Sequence, residues 1–194
     1  MIQSTGMAQL LKWCNRIVVT HPWKAQLLTT GFLMATSDVI AQTAIEKKKV
    51  KEIEPLRVGR FAFLGTCFVA PILRTWYNVL EKTMGAVGRT VGLRKMMVDQ
   101  LLFTPCFLGC FLTVSGALQF QPWSVIKDKI NKEYFEVLKT NYMLWPSAQL
   151  ITFYVIPLQY RIIFVSFVAL LWNTYLASQA NQSYNETKIK NFNN

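Results

Sequence analysis

Several ionisable side chains stand inside long apolar stretches of this sequence, where a charge is unfavourable unless protein or water surrounds it. They are Asp38, Arg60, Arg74, Asp99 and Arg161. Gln100, Gln149 and Asn173 would add uncharged hydrogen-bonding groups. In membrane proteins, such groups line the paths of ions and solutes. Together they are predicted to line or gate a pore, although an interhelical hydrogen bond or an interfacial charge is an equal alternative for each one alone.

Prolines interrupt the same apolar stretches. The candidate helix breaks are Pro71, Pro105, Pro146 and Pro157. Each proline removes one backbone donor, and broken helices persist at membrane depth only where protein covers them or where they line a water-filled cavity. The prolines therefore favour a pore or a transport path. They also predict that the region 140–160 is an interrupted entry segment.

Cysteine could supply redox chemistry, because Cys67, Cys106 and Cys110 lie in two different predicted spans. Oxidation of these thiols is a candidate gating signal, and the alternative is that they pack as small apolar side chains. With His21 as the single histidine, no zinc-type ligand set can be assembled, and no nucleophile motif is present. We therefore expect no metal, no cofactor and no enzymatic activity.

These residues require membrane-spanning elements to position them. The uncharged stretch Leu101–Phe120 would reach about 30 Å as a helix, enough to cross a bilayer core. The pattern predicts an all-α polytopic membrane protein with about four transmembrane helices in a single domain, 1–178. The predicted spans are 25–45, 56–80, 100–120 and 158–176, with amphipathic interfacial helices at 7–19 and 122–139 and a polar, disordered tail at 179–194. Asp38 would pair with a basic residue on the next helix or be satisfied by backbone.

Composition agrees with a membrane protein and limits its partners. The chain is 52% hydrophobic with a formal net charge of +11. Its lysines and arginines are spread through every connecting segment rather than gathered in a block, which argues against direct nucleic-acid binding. The expected partners are membrane lipid and small solutes, with anionic metabolites or nucleotides as candidates, and a homo-oligomer is compatible with a path of this kind.

Three blocks of residues resemble a known family. They are His21 to Lys24, the stretch Leu93 to Leu112 with Asp99, Gln100, Pro105, Cys106, Gly109 and Cys110, and the region from Thr140 to Pro146 followed by Gln149, Phe153, Val155, Pro157, Arg161 and Trp172 to Leu176. This pattern resembles the family of Mpv-seventeen and the twenty-two-kilodalton peroxisomal membrane protein, over about residues 7 to 178. The likeness is greatest to its mitochondrial inner-membrane branch. Thr152 and Ala177 depart from the pattern, which weakens only claims about those two side chains.

The resemblance implies a four-span helical protein that forms a poorly selective, gated channel for small solutes. It also implies a link to membrane potential, reactive oxygen homeostasis and mitochondrial DNA maintenance. The implied location is the mitochondrial inner membrane, with the peroxisomal membrane as the alternative. A different class of function, a non-conducting scaffold or interaction protein, would use the glycines as packing sites. Those glycines are Gly31, Gly59, Gly65, Gly109 and Gly116.

Overall fold

The computed structural model describes residues 20–85, 89–156 and 161–192. Within these ranges it describes every side chain except those at 89–90, 153–154, 161–163 and 182–192. The predicted amphipathic helix at 7–19 and Pro157 lie outside the described residues. The described residues form helices and no strand, so the all-α prediction is confirmed for this part of the chain.

Seven α-helices follow one another along the chain. They are α1 (Pro22–Ile40), α2 (Pro55–Phe63), α3 (Ala70–Met84), α4 (Arg89–Val98), α5 (Thr104–Leu118), α6 (Trp123–Tyr154) and α7 (Arg161–Phe192). Pro22 and Pro55 occupy the first positions of their helices, where the fixed proline φ favours the helix and the missing N–H has no intrahelical role.

Three π-helical turns continue or join these helices. They are Ala41–Ile45 after α1, Leu64–Val69 between α2 and α3, and Asp99–Phe103 between α4 and α5. Pro71 and Pro105 each come shortly after such a turn, at the start of the next α-helix. The chain therefore stays helical at both prolines, and the predicted break takes the form of a wider turn just before each one.

The tight crossing of α1 over the second π turn depends on two glycines. A Cβ atom on Gly65 would lie 3.0 Å from the Cα of Gly31 and from the carbonyl oxygen of Thr30. α1 also packs against α2 and α7, and α6 packs against α5 and α7. The buried core between these helices includes Met34, Leu64, Leu108, Phe111, Leu112, Val137, Trp172 and Leu176.

The outer surface carries many large apolar side chains, as expected of a protein whose solvent is lipid. Phe32 is 76% exposed, and Leu28 and Leu101 are each 66% exposed. Two helical stretches are long and apolar enough to cross a membrane, Pro55–Met84 and Val91–Leu118. They contain the predicted spans 56–80 and 100–120 almost completely. The predicted span 25–45 lies on α1 and the π turn after it, and the described part of the span 158–176 lies on α7. The number of four spans stays a prediction.

Two segments differ from the sequence-based prediction. The interfacial helix 122–139 and the entry segment 140–160 were predicted as separate pieces, whereas α6 runs through Pro146 without a break until Tyr154. Burial of Ile126, Val137 and Ala148 along one helix compensates for the single hydrogen bond that a proline removes.

The predicted disordered tail, 179–194, differs as well, because α7 continues to Phe192. Ala180 and Asn181 are buried, and the carbonyl of Ala180 accepts hydrogen bonds from Lys129 and Gln119. The first residues of this segment are therefore ordered by contacts with the neighbouring helices, despite the polar composition.

Candidate functional site

A large cavity lies between the helices of the described part of the chain and has a volume of about 680 Å³. This volume falls within the range of about 300–1,000 Å³ that small-molecule sites occupy. Its polar lining includes Asp99 and Lys95, the amide side chains of Gln100, Asn141, Gln149 and Asn173, and several hydroxyl groups, among them that of Thr152. Four of the predicted pore-lining residues, Asp99, Gln100, Gln149 and Asn173, are therefore brought together here. We call this space the central cavity.

Asp99 opens the third π turn and directs its carboxylate toward an aromatic wall. The indole Nε1 of Trp76 donates a hydrogen bond to Asp99 Oδ1 at 2.7 Å. The Trp76 ring stacks on Phe103 with 4.8 Å between centroids, and Phe103 stacks on Phe107 at 5.2 Å. These contacts fix the direction of the carboxylate. Among the ion pairs within the described part of the chain, none includes Asp99.

Two buried amide oxygens on the cavity wall have no hydrogen-bond partner among the described residues: Gln100 Oε1 and Asn141 Oδ1. Gln100 is 8% exposed and Asn141 is 5% exposed. A buried acceptor without a partner costs about 1–3 kcal/mol, so such groups usually meet water or a ligand. The cavity is therefore equipped to accept hydrogen bonds from a polar solute or from water.

Two tyrosine hydroxyls donate hydrogen bonds to backbone carbonyls in and just after the third π turn. In a π-helical pattern the carbonyl of Gln100 would accept from residue 105, but Pro105 has no N–H. The hydroxyl of Tyr142 donates to that carbonyl at 2.9 Å instead, and the hydroxyl of Tyr134 donates to the Pro105 carbonyl at 3.1 Å. Both tyrosines belong to α6, so α6 supports the part of the wall that carries Asp99.

Asp38, by contrast, is remote from the central cavity lining and belongs to a buried ion network. It is fully buried, and Arg57 Nε donates to its Oδ1 at 2.8 Å while Gln42 Nε2 donates to its Oδ2 at 2.9 Å. The expected basic partner on the next helix is thus present, and it is Arg57. Arg57 was absent from the predicted site residues. Its place in the first turn of α2, facing the end of α1, is the signal that could have identified it.

Glu46 and Lys48 extend this network into the loop before α2. The two outer nitrogens of Arg57 donate to the Glu46 carboxylate at 2.9 and 2.6 Å, and Lys48 pairs with Glu46 and Glu54 at 3.1 and 2.8 Å. Burial raises the pKa of Glu46, but the hydrogen bonds and charges of Arg57 and Lys48 outweigh it and hold that pKa below its usual value. The network therefore joins α1, α2 and their connecting loop into one unit.

The remaining predicted arginines are dispersed. Arg74 Nη1 donates to Gln26 Oε1 at 3.0 Å, and its guanidinium lies 4.9 Å from the centre of the Trp23 ring. Arg60 lines a second, smaller cavity. The side chain of Arg161, the first residue of α7, is not described. The eight predicted pore-lining residues therefore do not all line a single path.

The three redox candidates, Cys67, Cys106 and Cys110, are free thiols with exposed side chains. None of them lines the central cavity. Any effect of their oxidation would start at the outer surface of the helices. No group of three or more His, Cys, Asp or Glu side chains converges within the ranges that the structure describes.

Lys129 was not singled out from the sequence, yet its side chain is 1% exposed. Its Nζ donates to the carbonyl of Ala180 at 2.5 Å, and Gln119 Nε2 donates to the same oxygen at 3.2 Å. Burial lowers the pKa of Lys129 to about 8, and the charge of Glu133 opposes this only in part. The sequence predicted an amphipathic interfacial helix at 122–139, in which a lysine is expected to face water, whereas the packing of α7 buries Lys129.

Known proteins resemble this chain along nearly its whole length. The Mpv17 / PMP22 family model matches residues 116–177. The mitochondrial inner membrane protein Mpv17 of Xenopus laevis is 41% identical over 177 residues, which cover 91% of this chain and 100% of that protein. Its Homo sapiens counterpart is 41% identical over 168 residues, covering 87% of this chain and 96% of that protein. Protein SYM1 of Gibberella zeae is 34% identical over 173 residues, 88% of this chain and 97% of the relative.

No solved structure matches the chain. The family resemblance seen in the sequence is confirmed by these relatives, and so is the predicted location, because the Mpv17 relatives are named for the mitochondrial inner membrane. This chain is a protein of that membrane. Its identity to these relatives over most of both lengths leads to one conclusion: the chain belongs to the Mpv17 / PMP22 family.

Proposed function

We propose that this protein is a poorly selective, gated channel for small solutes in the mitochondrial inner membrane. The observation that carries the proposal is the central cavity, where polar groups from several helices converge inside an apolar bundle. A lining of one carboxylate, one ammonium, four amides and several hydroxyls can replace part of the hydration shell of a solute. With so few charged groups, it discriminates weakly among solutes of similar size.

The third π turn gives this path a movable wall. Asp99, Gln100 and Phe103 all belong to that turn and all line the cavity. Single π-helical turns are frequent at functional sites, and a change of this turn to a regular α-helical turn would move the carboxylate away from Trp76. We propose that this rearrangement is the gate.

The wider roles follow from the family. We propose that the channel affects membrane potential, reactive oxygen homeostasis and mitochondrial DNA maintenance through the solutes it passes, with anionic metabolites or nucleotides as candidates. The proposed role is transport, without enzymatic activity and without direct contact to nucleic acid. Membrane lipid is the expected surrounding partner, and association of two or more copies would widen the path.

Single-channel recording of the purified full chain in planar bilayers tests the proposal. Wild-type protein is expected to open and close between discrete conductance levels. Asp99→Asn is expected to change the conductance and to shift the ion preference toward anions, because the carboxylate attracts cations and repels anions in the path. Asp128→Asn is the matched control, since Asp128 is 64% exposed and pairs with Lys132 outside the cavity.

Two results would contradict the channel. One is folded protein that never raises bilayer conductance at any voltage or redox poise. The other is an equal effect of Asp99→Asn and Asp128→Asn, which would remove the central cavity from the path.

A non-conducting scaffold is the alternative, and one surface feature favours it. Gly59 has open space beside its Cα, and Leu56 and Phe63 on the same helix face are 68% and 55% exposed. Such a face suits packing against another helix. The other candidate glycines are used within the chain, since Gly31 and Gly65 face each other and Ile126 fills the space over Gly116. Native complexes that contain only this chain and lipid would count against the scaffold.

A further inference from the structure

A second cavity, of about 120 Å³, lies where both candidate membrane spans end. Its walls include Arg57 and Arg60 from the first turns of Pro55–Met84, and Ser115 and Gln119 from the end of Val91–Leu118 and just beyond. Asn181 of α7 closes it. Because two spans terminate here, the cavity lies at the depth where a bilayer presents its polar headgroups. We call it the arginine pocket.

Three carboxylates and three cations in and beside the arginine pocket balance in formal charge, but one of these cations forms no ion pair within the described residues. Arg57 is neutralised by Asp38 and Glu46, and Glu54 pairs with Lys48. Arg60 forms no ion pair within the described part of the chain, and its guanidinium instead lies 5.7 Å from the centre of the Phe120 ring. A partly buried guanidinium without a carboxylate favours an external anion.

A free hydroxyl stands opposite this charge. Ser115 is 3% exposed, and its hydroxyl has no hydrogen-bond partner among the described residues, although a serine in a helix can donate to the carbonyl four residues earlier. The hydroxyl and the guanidinium together are donors of the kind that bind phosphate oxygens.

Phe120, whose ring lies beside Arg60, adds a strained residue next to the pocket. Its φ is 56°, a left-handed conformation that is unfavourable for a bulky side chain. The chain turns there because the N–H groups of Phe120 and Gln121 bond back to the carbonyls of Ala117 and Gly116. The ring is 86% exposed, so burial within the chain does not compensate for the strain. Strained residues of this kind concentrate at binding sites.

From these features we propose that the arginine pocket binds the phosphate of an anionic phospholipid. Arg60 and Ser115 would donate to the phosphate oxygens, and the exposed apolar side chains of Leu56 and Phe120 would lie along the acyl chains. The adjacent lipid-facing surface favours a phospholipid over a soluble phosphate. The site is separate from the central cavity and does not depend on the channel proposal.

Binding of phosphatidylglycerol to the purified full chain, in a neutral detergent, tests the site, with phosphatidylcholine as the reference lipid. Native mass spectrometry would report the lipid bound per chain as the lipid is titrated. Arg60→Gln is expected to weaken phosphatidylglycerol binding by about tenfold to a hundredfold, the equivalent of one charge-assisted hydrogen-bond pair. Ser115→Ala is expected to weaken it less. Arg74→Gln removes the same charge away from the pocket and is expected to leave binding unchanged.

Each other outcome overturns the site. Equal losses for Arg60→Gln and Arg74→Gln would indicate unspecific attraction to a basic protein. Equal binding of phosphatidylcholine would remove the anionic headgroup from the interaction. Displacement of the lipid by millimolar glycerol phosphate would reassign the pocket to a soluble phosphate. If Arg60→Gln does not fold, judged by its elution in gel filtration, Ser115→Ala and Arg60→Lys decide the matter, and unchanged binding in Ser115→Ala would contradict the proposal.

Discussion

Asp38 and Arg57 are each buried charges, and each makes the other tolerable. Arg57 is 5% exposed and Asp38 is fully buried, so neither could be solvated by water if its partner were removed. The loss of one member of a buried pair costs about 3–5 kcal/mol, whereas the loss of both can be nearly neutral. The pair therefore makes α1 and α2 depend on each other: the loss of either residue destabilises the protein, although the intact pair adds little to its stability.

Substitution of this pair should show strong coupling. We expect Arg57→Met to destabilise the protein by about 3–5 kcal/mol, because Asp38 is left buried without a cation. Asp38→Asn combined with Arg57→Met should recover most of that loss, since Glu46 retains Lys48 as a partner. Thermal unfolding in detergent, followed by tryptophan fluorescence, measures both. Equal melting temperatures for the single and double variants would show that the two residues are not coupled.

Lys129 makes stability depend on pH in an unusual direction. Its folded pKa is about 8 and its ordinary value is 10.5, so between these values the unfolded chain binds more protons than the folded one. Stability therefore rises as pH increases through this window, by up to about 3 kcal/mol. The melting temperature of the wild type should increase from pH 8 to pH 10 relative to that of Lys129→Met. Parallel curves for the two proteins would contradict the buried charge.

At the scale of helices, the crossing of α1 over the second π turn depends on the absence of side chains. Gly65→Ala would place a methyl group 3.0 Å from backbone atoms of Gly31 and Thr30, which cannot rotate away. We expect a loss of about 1–3 kcal/mol from overpacking. Gly59→Ala is the control, because open space surrounds Gly59 and alanine favours a helix by up to about 1 kcal/mol. Equal melting temperatures for the two variants would show that the crossing is not tight.

Most of the helices could be predicted from the sequence, but the points at which they continue without a break could not. Apolar run length identified the stretches that become Pro55–Met84 and Val91–Leu118. The prediction of a helix break at Pro146 was wrong, because the packing of α6 against its neighbours stabilises the helix on both sides of this proline. The polar composition of residues 179–192 predicted a disordered tail for a related reason, since it does not reveal the hydrogen bonds that Ala180 accepts from Lys129 of α6 and from Gln119 in the turn before α6.

For the whole molecule, the sequence predicted the kinds of residue that line the candidate site, but it identified only some of the individual residues. Ionisable and amide groups within apolar runs were predicted to line a pore, and four of them, Asp99, Gln100, Gln149 and Asn173, share one cavity. Asn141 was missed as a cavity residue, although it belongs to the block that carries the family resemblance. Arg60 and Asp38 were assigned to the same set because sequence spacing does not reveal which side of a bundle a helix end faces.

The three exposed cysteines lead to a prediction about gating by oxidation. Cys67, Cys106 and Cys110 lie on outer helix faces, so an oxidant reaches them without entering the central cavity. If oxidation alters conductance, replacement of all three by serine should abolish the response, because no thiol on the described outer faces remains. Single-channel recording before and after addition of a mild oxidant checks this. A response that persists in the triple variant would exclude these cysteines.

The π turns also set how this chain can tolerate changes in length. Each π turn holds one residue more than the α-helical turn it replaces, so deletion of a single residue within 99–103 can be absorbed by a return to regular helix. Such a deletion would keep the helix faces on the two sides of the turn in register, whereas the same deletion in a regular α-helix would rotate one side by about 100° relative to the other. A one-residue deletion at this turn would therefore alter the local wall of the central cavity and leave the flanking helices facing the same neighbours, so relatives that are one residue shorter here are expected to keep the same fold.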